Sequence, residues 1–263
     1  MDELTELRDL AETLARSAGE LLLERLEGPR SDIRTKSSAT DMVSEVDHES
    51  QELIIAGIRA SRPDDAILAE EGADLAGSSR YRWVVDPLDG TTNYLYGHPG
   101  FGVSIAVEDA DGPVVGVVND PVHGELFRAV RGGGATRNGA PIEPTPTADP
   151  AAALVATGFA YESGTRREQA RVLVAAVARI RDIRRMGAAA VDLCSVASGR
   201  IDAYFERGLS RWDLAAGMLI SSEAGARVGS IDGGPPEPES VLAANPALFE
   251  PLREILVEAG AAD

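Results

Sequence analysis

The sequence predicts a mixed α/β (α+β) fold, and three observations carry that reading. Apolar residues recur at helical spacing in some segments and form short β-branched runs in others, so helices and strands are mixed along the chain. The 263 residues are 44% hydrophobic, enough for a sizeable core in one large domain or two closely joined halves. A Pro-, Thr- and Ala-rich stretch at 139–152 is the best candidate boundary, dividing the chain into residues 1–145 and 146–263.

Leu4, Leu7, Leu10, Leu14, Ala18 and Leu21 share one helical face, so a first amphipathic helix runs to about residue 27, where Gly28-Pro29 ends it. A second helix, residues 44–61, buries Val46, Leu53, Ile54 and Ile58, and Pro63 closes it. Residues 66–69 read as a short strand delivering Glu70 and Glu71, and residues 72–80 as a polar loop. Strands are expected over 101–107, 113–119 and 125–130, in an antiparallel meander. Gly132-Gly133-Gly134 lacks the strand and helix context of a phosphate loop and reads as a turn. The second half alternates: strands at 154–157, 182–185, 202–205 and 241–244, and helices at 165–180, 188–198, 212–224 and 246–260, with a Gly/Pro-rich loop at 229–240.

The chain is organised around residues 83–107. Trp83-Val84-Val85 is a buried-strand pattern, Asp86 stands where that strand would end, and Pro87 is expected to stop it. Asp89-Gly90 is a turn signal, followed by Thr91, Thr92 and Asn93, all able to cap a helix. Two carboxylates thus lie three residues apart beside a turn whose backbone N–H groups can point outward. Carboxylate oxygens are the hard ligands Mg2+ prefers, and outward turn N–H groups form an anion-binding concavity. Together they are the equipment for phosphoryl transfer to water.

Composition narrows the setting. A formal charge of −18 repels nucleic acid phosphates and anionic membranes, and no apolar run is long enough for a membrane span. Asp2, Glu3 and Glu6 stand where a signal peptide needs basic residues, so a cytoplasmic protein is expected. Cys194 excludes an internal disulfide and reads as a buried thiol. His48, His98 and His123 show no ligand spacing, which argues against a histidine zinc site. Lys36 is the only lysine among 25 basic residues, and it falls inside Thr35-Lys36-Ser37-Ser38.

The string Asp86-Pro87-Leu88-Asp89-Gly90-Thr91-Thr92-Asn93 resembles the signature of the inositol monophosphatase family of Mg2+-dependent, lithium-sensitive sugar-phosphate phosphatases. Trp212-Asp213-Leu214-Ala215-Ala216-Gly217 is similar to that family's second signature. Thr35-Lys36-Ser37-Ser38, Asp47 and Glu70-Glu71 match more weakly, in the expected order. The resemblance covers nearly the whole chain. It implies a layered α-β-α-β-α sandwich forming one catalytic domain, and a homodimer.

It also implies roles. Glu70, Asp86 and the carbonyl of Leu88 would hold one Mg2+; Asp86, Asp89 and Asp213 would hold a second, and Glu70 with water a looser third. Thr91, paired with Asp47 or Glu70, would take the proton of an attacking water. The N–H groups of Gly90, Thr91 and Thr92 would hold the phosphate, with Lys36 at its edge. Asp89, Glu206 and the backbone from Gly187 to Ala189 would contact the polyol hydroxyls. Ala188 stands where the family often has Ser or Thr, so one side-chain hydroxyl is missing. Glu71 either orients Glu70 or faces elsewhere. Inositol monophosphate is the first substrate expected. Fructose 1,6-bisphosphate, histidinol phosphate and 3′-phosphoadenosine 5′-phosphate are the alternatives on the same residues, and a non-catalytic regulatory protein is a remote one.

Overall fold

A computed structural model describes residues 3–26, 34–35, 42–43 and 45–261. In chain order the elements of the first half are α1 (Glu3–Leu26), β1 (Arg34–Thr35), β2 (Met42–Val43), α2 (Glu45–Ser61), β3 (Ala66–Ala69), β4 (Ala73–Leu75), β5 (Arg82–Asp89), α3 (Thr91–Tyr96), β6 (Gly102–Asp109), β7 (Gly112–Asp120), β8 (Glu125–Val130), β9 (Ala135–Arg137) and β10 (Ala140–Pro141). The second half adds β11 (Leu154–Thr157), α4 (Ser163–Ala176), β12 (Asp182–Arg184), α5 (Ala189–Ala197), β13 (Ala203–Glu206), α6 (Arg211–Glu223), β14 (Arg227–Gly229), β15 (Val241–Ala244) and α7 (Pro246–Glu258). Lys36 lies outside the described residues.

Two sheets organise the molecule. One has eight strands in the order β10-β9-β8-β7-β6-β5-β3-β4, antiparallel except where β3 runs parallel to β5. The other has five, in the order β12-β11-β13-β15-β14, with β12, β11 and β13 parallel. Successive residues of a strand face opposite sides, and here both sides are covered. Trp83, Val85, Ile105, Val107 and Val117 turn toward α1 and α2. Val84, Ala106, Val118 and Phe127 turn toward α5 and α6. On the second sheet Ala156, Tyr204 and Ala243 face α5 and α6, while Val155, Phe205 and Leu242 face α4 and α7. The result is the expected α-β-α-β-α sandwich.

The central helix layer is thin because its residues are small. A Cβ on Gly116 of β7 would fall 2.8 Å from the Ala216 carbonyl oxygen, and one on Gly217 would fall 2.8 Å from Leu193 Cβ. The run Ala215-Ala216-Gly217 therefore lets α6 press against both a strand and α5, which brings Asp213, in its first turn, down to the sheet ends. Larger side chains there would force the layers apart, as overpacking of a dense core does.

Three expectations need correction. Residues 72–80 are not all loop: β4 pairs antiparallel with β3 at the sheet edge. Pro87 does not stop its strand: β5 pairs with β6 as far as Asp86–Ser104 and again at Asp89–Gly102, with a register shift between. Proline has no N–H to give a ladder, so the irregularity falls where Pro87 sits. The Gly/Pro-rich segment at 229–240 begins on β14 and carries a bridge between Glu237 and Ser240. As expected, Gly132-Gly133-Gly134 is a turn between strands. The N–H groups of Gly132 and Gly134 donate to the two carboxylate oxygens of Glu223, at 2.8 and 2.9 Å.

Candidate active site

The irregular end of β5 builds the centre of the site. Asp86 Oδ1 accepts from the Leu88 N–H at 3.0 Å, which folds the acid back over its own strand. The chain then turns at Gly90, whose φ of 88° is a left-handed conformation that favours glycine. Space demands glycine there too, since a Cβ would lie 2.9 Å from the Gly100 carbonyl oxygen. α3 starts at the next residue, so the N–H groups of Thr91 and Thr92 belong to a first helical turn and have no acceptor within the helix.

α2 is fastened to this turn by buried polar groups. Thr91 Oγ1 lies 3.2 Å from Asp47 Oδ1 and 3.1 Å from the Leu88 carbonyl oxygen. Its single proton serves one acceptor at a time. Ser50 Oγ donates to the Pro87 carbonyl at 2.9 Å, and Gln51 Oε1 accepts from the Glu71 N–H at 2.9 Å. Asp47, Ser50 and Gln51 lie at positions i, i+3 and i+4 of the helix, a polar patch above the apolar Ile54 and Ile58. Sequence reasoning finds Asp47 by resemblance and misses Ser50 and Gln51. The signal was present as buried polar spacing on an otherwise apolar face.

The second half of the chain closes on the same place. Asp89 Oδ1 and Oδ2 accept from the N–H groups of Ala189 and Ala190, at 3.1 and 2.7 Å. Asp89 thus caps α5 from a hundred residues away, and its carboxylate orientation is fixed. The Val191 N–H adds a third backbone hydrogen bond to the same carboxylate. Asp213 Oδ2 accepts from the Ser210 N–H at 2.6 Å, at the positive end of the α6 dipole. Glu206 ends β13, where its Oε2 accepts from the Tyr204 hydroxyl at 2.6 Å. The Gly187 carbonyl oxygen and Ala188 Cβ lie 3.3 and 3.1 Å from where a Gly90 Cβ would stand, so the 187–189 backbone adjoins the Gly90 turn.

Glu70, Asp86, Asp89 and Asp213 come close enough to perturb one another. Burial, then Glu70, Asp89 and Asp213, push Asp86 well above the usual carboxylate range, and it hydrogen-bonds Glu70. Asp89 rises to about 7, chiefly through burial, although the α5 N–H groups pull it down. Asp213 is also driven well up, by burial and then by Asp89. Among the described residues, no three His, Cys, Asp or Glu side chains already form a metal cage. The donor set nonetheless fits a hard divalent ion: buried and half-buried carboxyl oxygens, like-charged, from the β3–β4 turn, β5 and α6. Sequence reasoning also misses Asp192 in the first turn of α5. It is buried, its Oδ1 has no hydrogen-bond partner, and burial and then Asp89 and Glu206 raise its pKa well above the ordinary value.

The sequence profile of the inositol monophosphatase family matches residues 3–261. The chain is 40% identical to the Nus factor SuhB of Vibrio cholerae, across 94% of this chain and 95% of that protein. It is also 40% identical to the inositol-1-monophosphatase of Mycobacterium bovis, across 86% of this chain and 84% of that one. Among solved structures, the inositol monophosphatase of Anabaena (Nostoc) matches with a TM-score of 0.87 and 37% identity, over 98% of this chain and 97% of its own. With the match running from the first helix to the last, the chain belongs to the inositol monophosphatase family.

Proposed function

We propose that this protein hydrolyses the phosphate monoester of a polyol, inositol monophosphate in the first instance, in a Mg2+-dependent reaction with water. The observation that carries the reading is the meeting of Glu70, Asp86, Asp89 and Asp213 beside the Gly90–Thr92 turn, with the Thr91 hydroxyl against buried Asp47. Glu70, Asp86, the Leu88 carbonyl, Asp89 and Asp213 would hold two or three Mg2+. When bound, these ions neutralise phosphoryl charge and acidify water.

The chain's own groups do the rest. The N–H groups of Gly90, Thr91 and Thr92 cradle the phosphate oxygens. Thr91 Oγ1 accepts the proton of the attacking water while giving its own to Asp47, which a hydroxyl can do because it donates and accepts together. Asp89, Glu206 and the Gly187–Ala189 backbone face the alcohol half. The family resemblance adds a cytoplasmic homodimer, and no helix among the described residues is long and apolar enough to cross a membrane.

The test is turnover of inositol monophosphate, fructose 1,6-bisphosphate, histidinol phosphate and 3′-phosphoadenosine 5′-phosphate at equal Mg2+. The highest kcat/KM should fall on inositol monophosphate; a higher value on another would reassign the substrate. Relatives of equal identity are named Nus factors, so a non-catalytic regulatory role is the second reading. Failure on all four phosphates would favour it.

A further inference from the structure

Glu206 stands on a boundary. On one side is the carboxylate cluster, close enough that Glu206 raises the pKa of Asp213. On the other is a cavity of about 740 Å3, which Glu206 lines together with Gly158, Val172, Phe205, Ile231 and Ala261. The polar wall of that cavity is largely spent on the protein itself. Gln169, for example, accepts from the Ala160 N–H and donates to the Arg207 carbonyl. A glutamate side chain has three rotatable bonds, and here it has room to turn away from the cleft.

Two features oppose that turn. The Tyr204 hydroxyl donates a hydrogen bond to the Glu206 carboxylate at 2.6 Å. Tyr204 itself is fully buried, packed with Ala156, Leu193 and Leu214, so it is a rigid post. Residues i and i+2 of a strand share a face, which is why the post and the acid meet. Also against the carboxylate is Gly158, just past the end of β11. A Cβ there would fall 1.9 Å from Glu206 Oε2 and 2.2 Å from its Cδ, so the carboxylate occupies the space that any other residue would fill.

We infer that Tyr204 is a positioning residue for substrate selection: its hydroxyl, with the side-chain-free surface of Gly158, holds the Glu206 carboxylate in the place from which it reads the polyol. The inference rests on the reading of Glu206 given above. Tyr204 touches no substrate, so its effect passes through Glu206 alone and is felt on the alcohol half.

The experiment compares wild type, Tyr204→Phe, Gly158→Ala and Glu206→Gln with Mg2+ present. It measures kcat and KM for inositol monophosphate and for an aryl phosphate, which offers no hydroxyls. Tyr204→Phe removes one hydroxyl and keeps the ring. Gly158→Ala displaces the carboxylate by steric overlap, so the two variants reach one effect by independent routes. Both should raise KM for inositol monophosphate roughly tenfold, the size expected for losing a hydrogen bond to a charged group. In Tyr204→Phe, kcat on the aryl phosphate should stay at the wild-type level. If Glu206→Gln lowers the preference for inositol monophosphate and the other two variants do not, Glu206 holds itself and the inference is overturned while the reading of Glu206 stands. If Glu206→Gln leaves the preference intact, both fall. Equal losses on the two substrates in Tyr204→Phe would make its role structural and overturn the inference as well.

Discussion

Stripped of divalent cations, the protein should lose stability as pH rises from 5 to 8. Asp89 is shifted from 3.8 to about 7, mainly by burial, and Asp86 and Asp213 are shifted in the same direction. A carboxyl with a raised folded-state pKa binds more protons folded than unfolded across the interval between the two values. Stability therefore falls as pH climbs through that interval and levels off above the folded pKa. For Asp89 alone the interval is about 3 units, or about 4 kcal/mol at ~1.4 kcal/mol per unit. Roughly 3 kcal/mol of that lies above pH 5, which for a chain of this size corresponds to on the order of 10 °C in Tm. Carboxylates held down by arginines, such as Asp109 and Asp182, titrate below this window, while Asp192 and Glu206, raised by burial, add to the same slope. Circular dichroism melts in excess chelator at pH 5, 6, 7 and 8 measure the slope. Asp86→Asn should make it shallower, and added Mg2+ should restore most stability at the highest pH. A Tm that is flat or rising in chelator, or an unchanged slope in the variant, would refute the electrostatic account of the cluster.

Three other outcomes follow from the same geometry. Gly90→Ala, at φ 88° and with a backbone oxygen 2.9 Å from the new Cβ, should lower Tm and remove most phosphatase activity; wild-type values for both would show that the turn is not fixed as described. Ser50→Ala deprives the Pro87 carbonyl of its buried donor and should cost about 1–3 kcal/mol in a denaturant melt; a change under a few tenths would mean that the carbonyl finds another donor. Li+ at millimolar concentrations should depress turnover while Na+ does not, because a small cation can occupy one site of the carboxylate cluster; insensitivity to both would separate this site from the lithium-sensitive kind.

Elements with strong periodicity are legible in the sequence. Every third or fourth residue of α1 is apolar and buried, and β3, β11 and β15 fall at their expected bounds. The short strands β4, β9, β10 and β14 are not, because two or three residues carry no period and pairing with a neighbour decides them. Pro87 misleads for a related reason: it breaks a ladder locally, and the tertiary partner β6 carries the strand past it. At the site, residue types in matched strings point to the carboxylates, but the contacts that orient them are non-local. The capping of α5 by Asp89 spans a hundred residues, and the fastening of Thr91 to Asp47 spans forty-four. Nothing in the local sequence around Tyr204 or Gly158 marks them, since their place is set by where two parallel strands end.

The most direct test of the central claim is phosphatase turnover of the purified protein on inositol monophosphate, with Mg2+ and with excess chelator, beside the Asp213→Asn variant. Asn keeps the shape and can still accept from the Ser210 N–H, but it removes the charge and hardness that a Mg2+ ligand needs. Activity should appear only with Mg2+, and the variant should lose most of it while its far-ultraviolet circular dichroism matches wild type. Undiminished turnover in chelator, or full activity in Asp213→Asn, would contradict it.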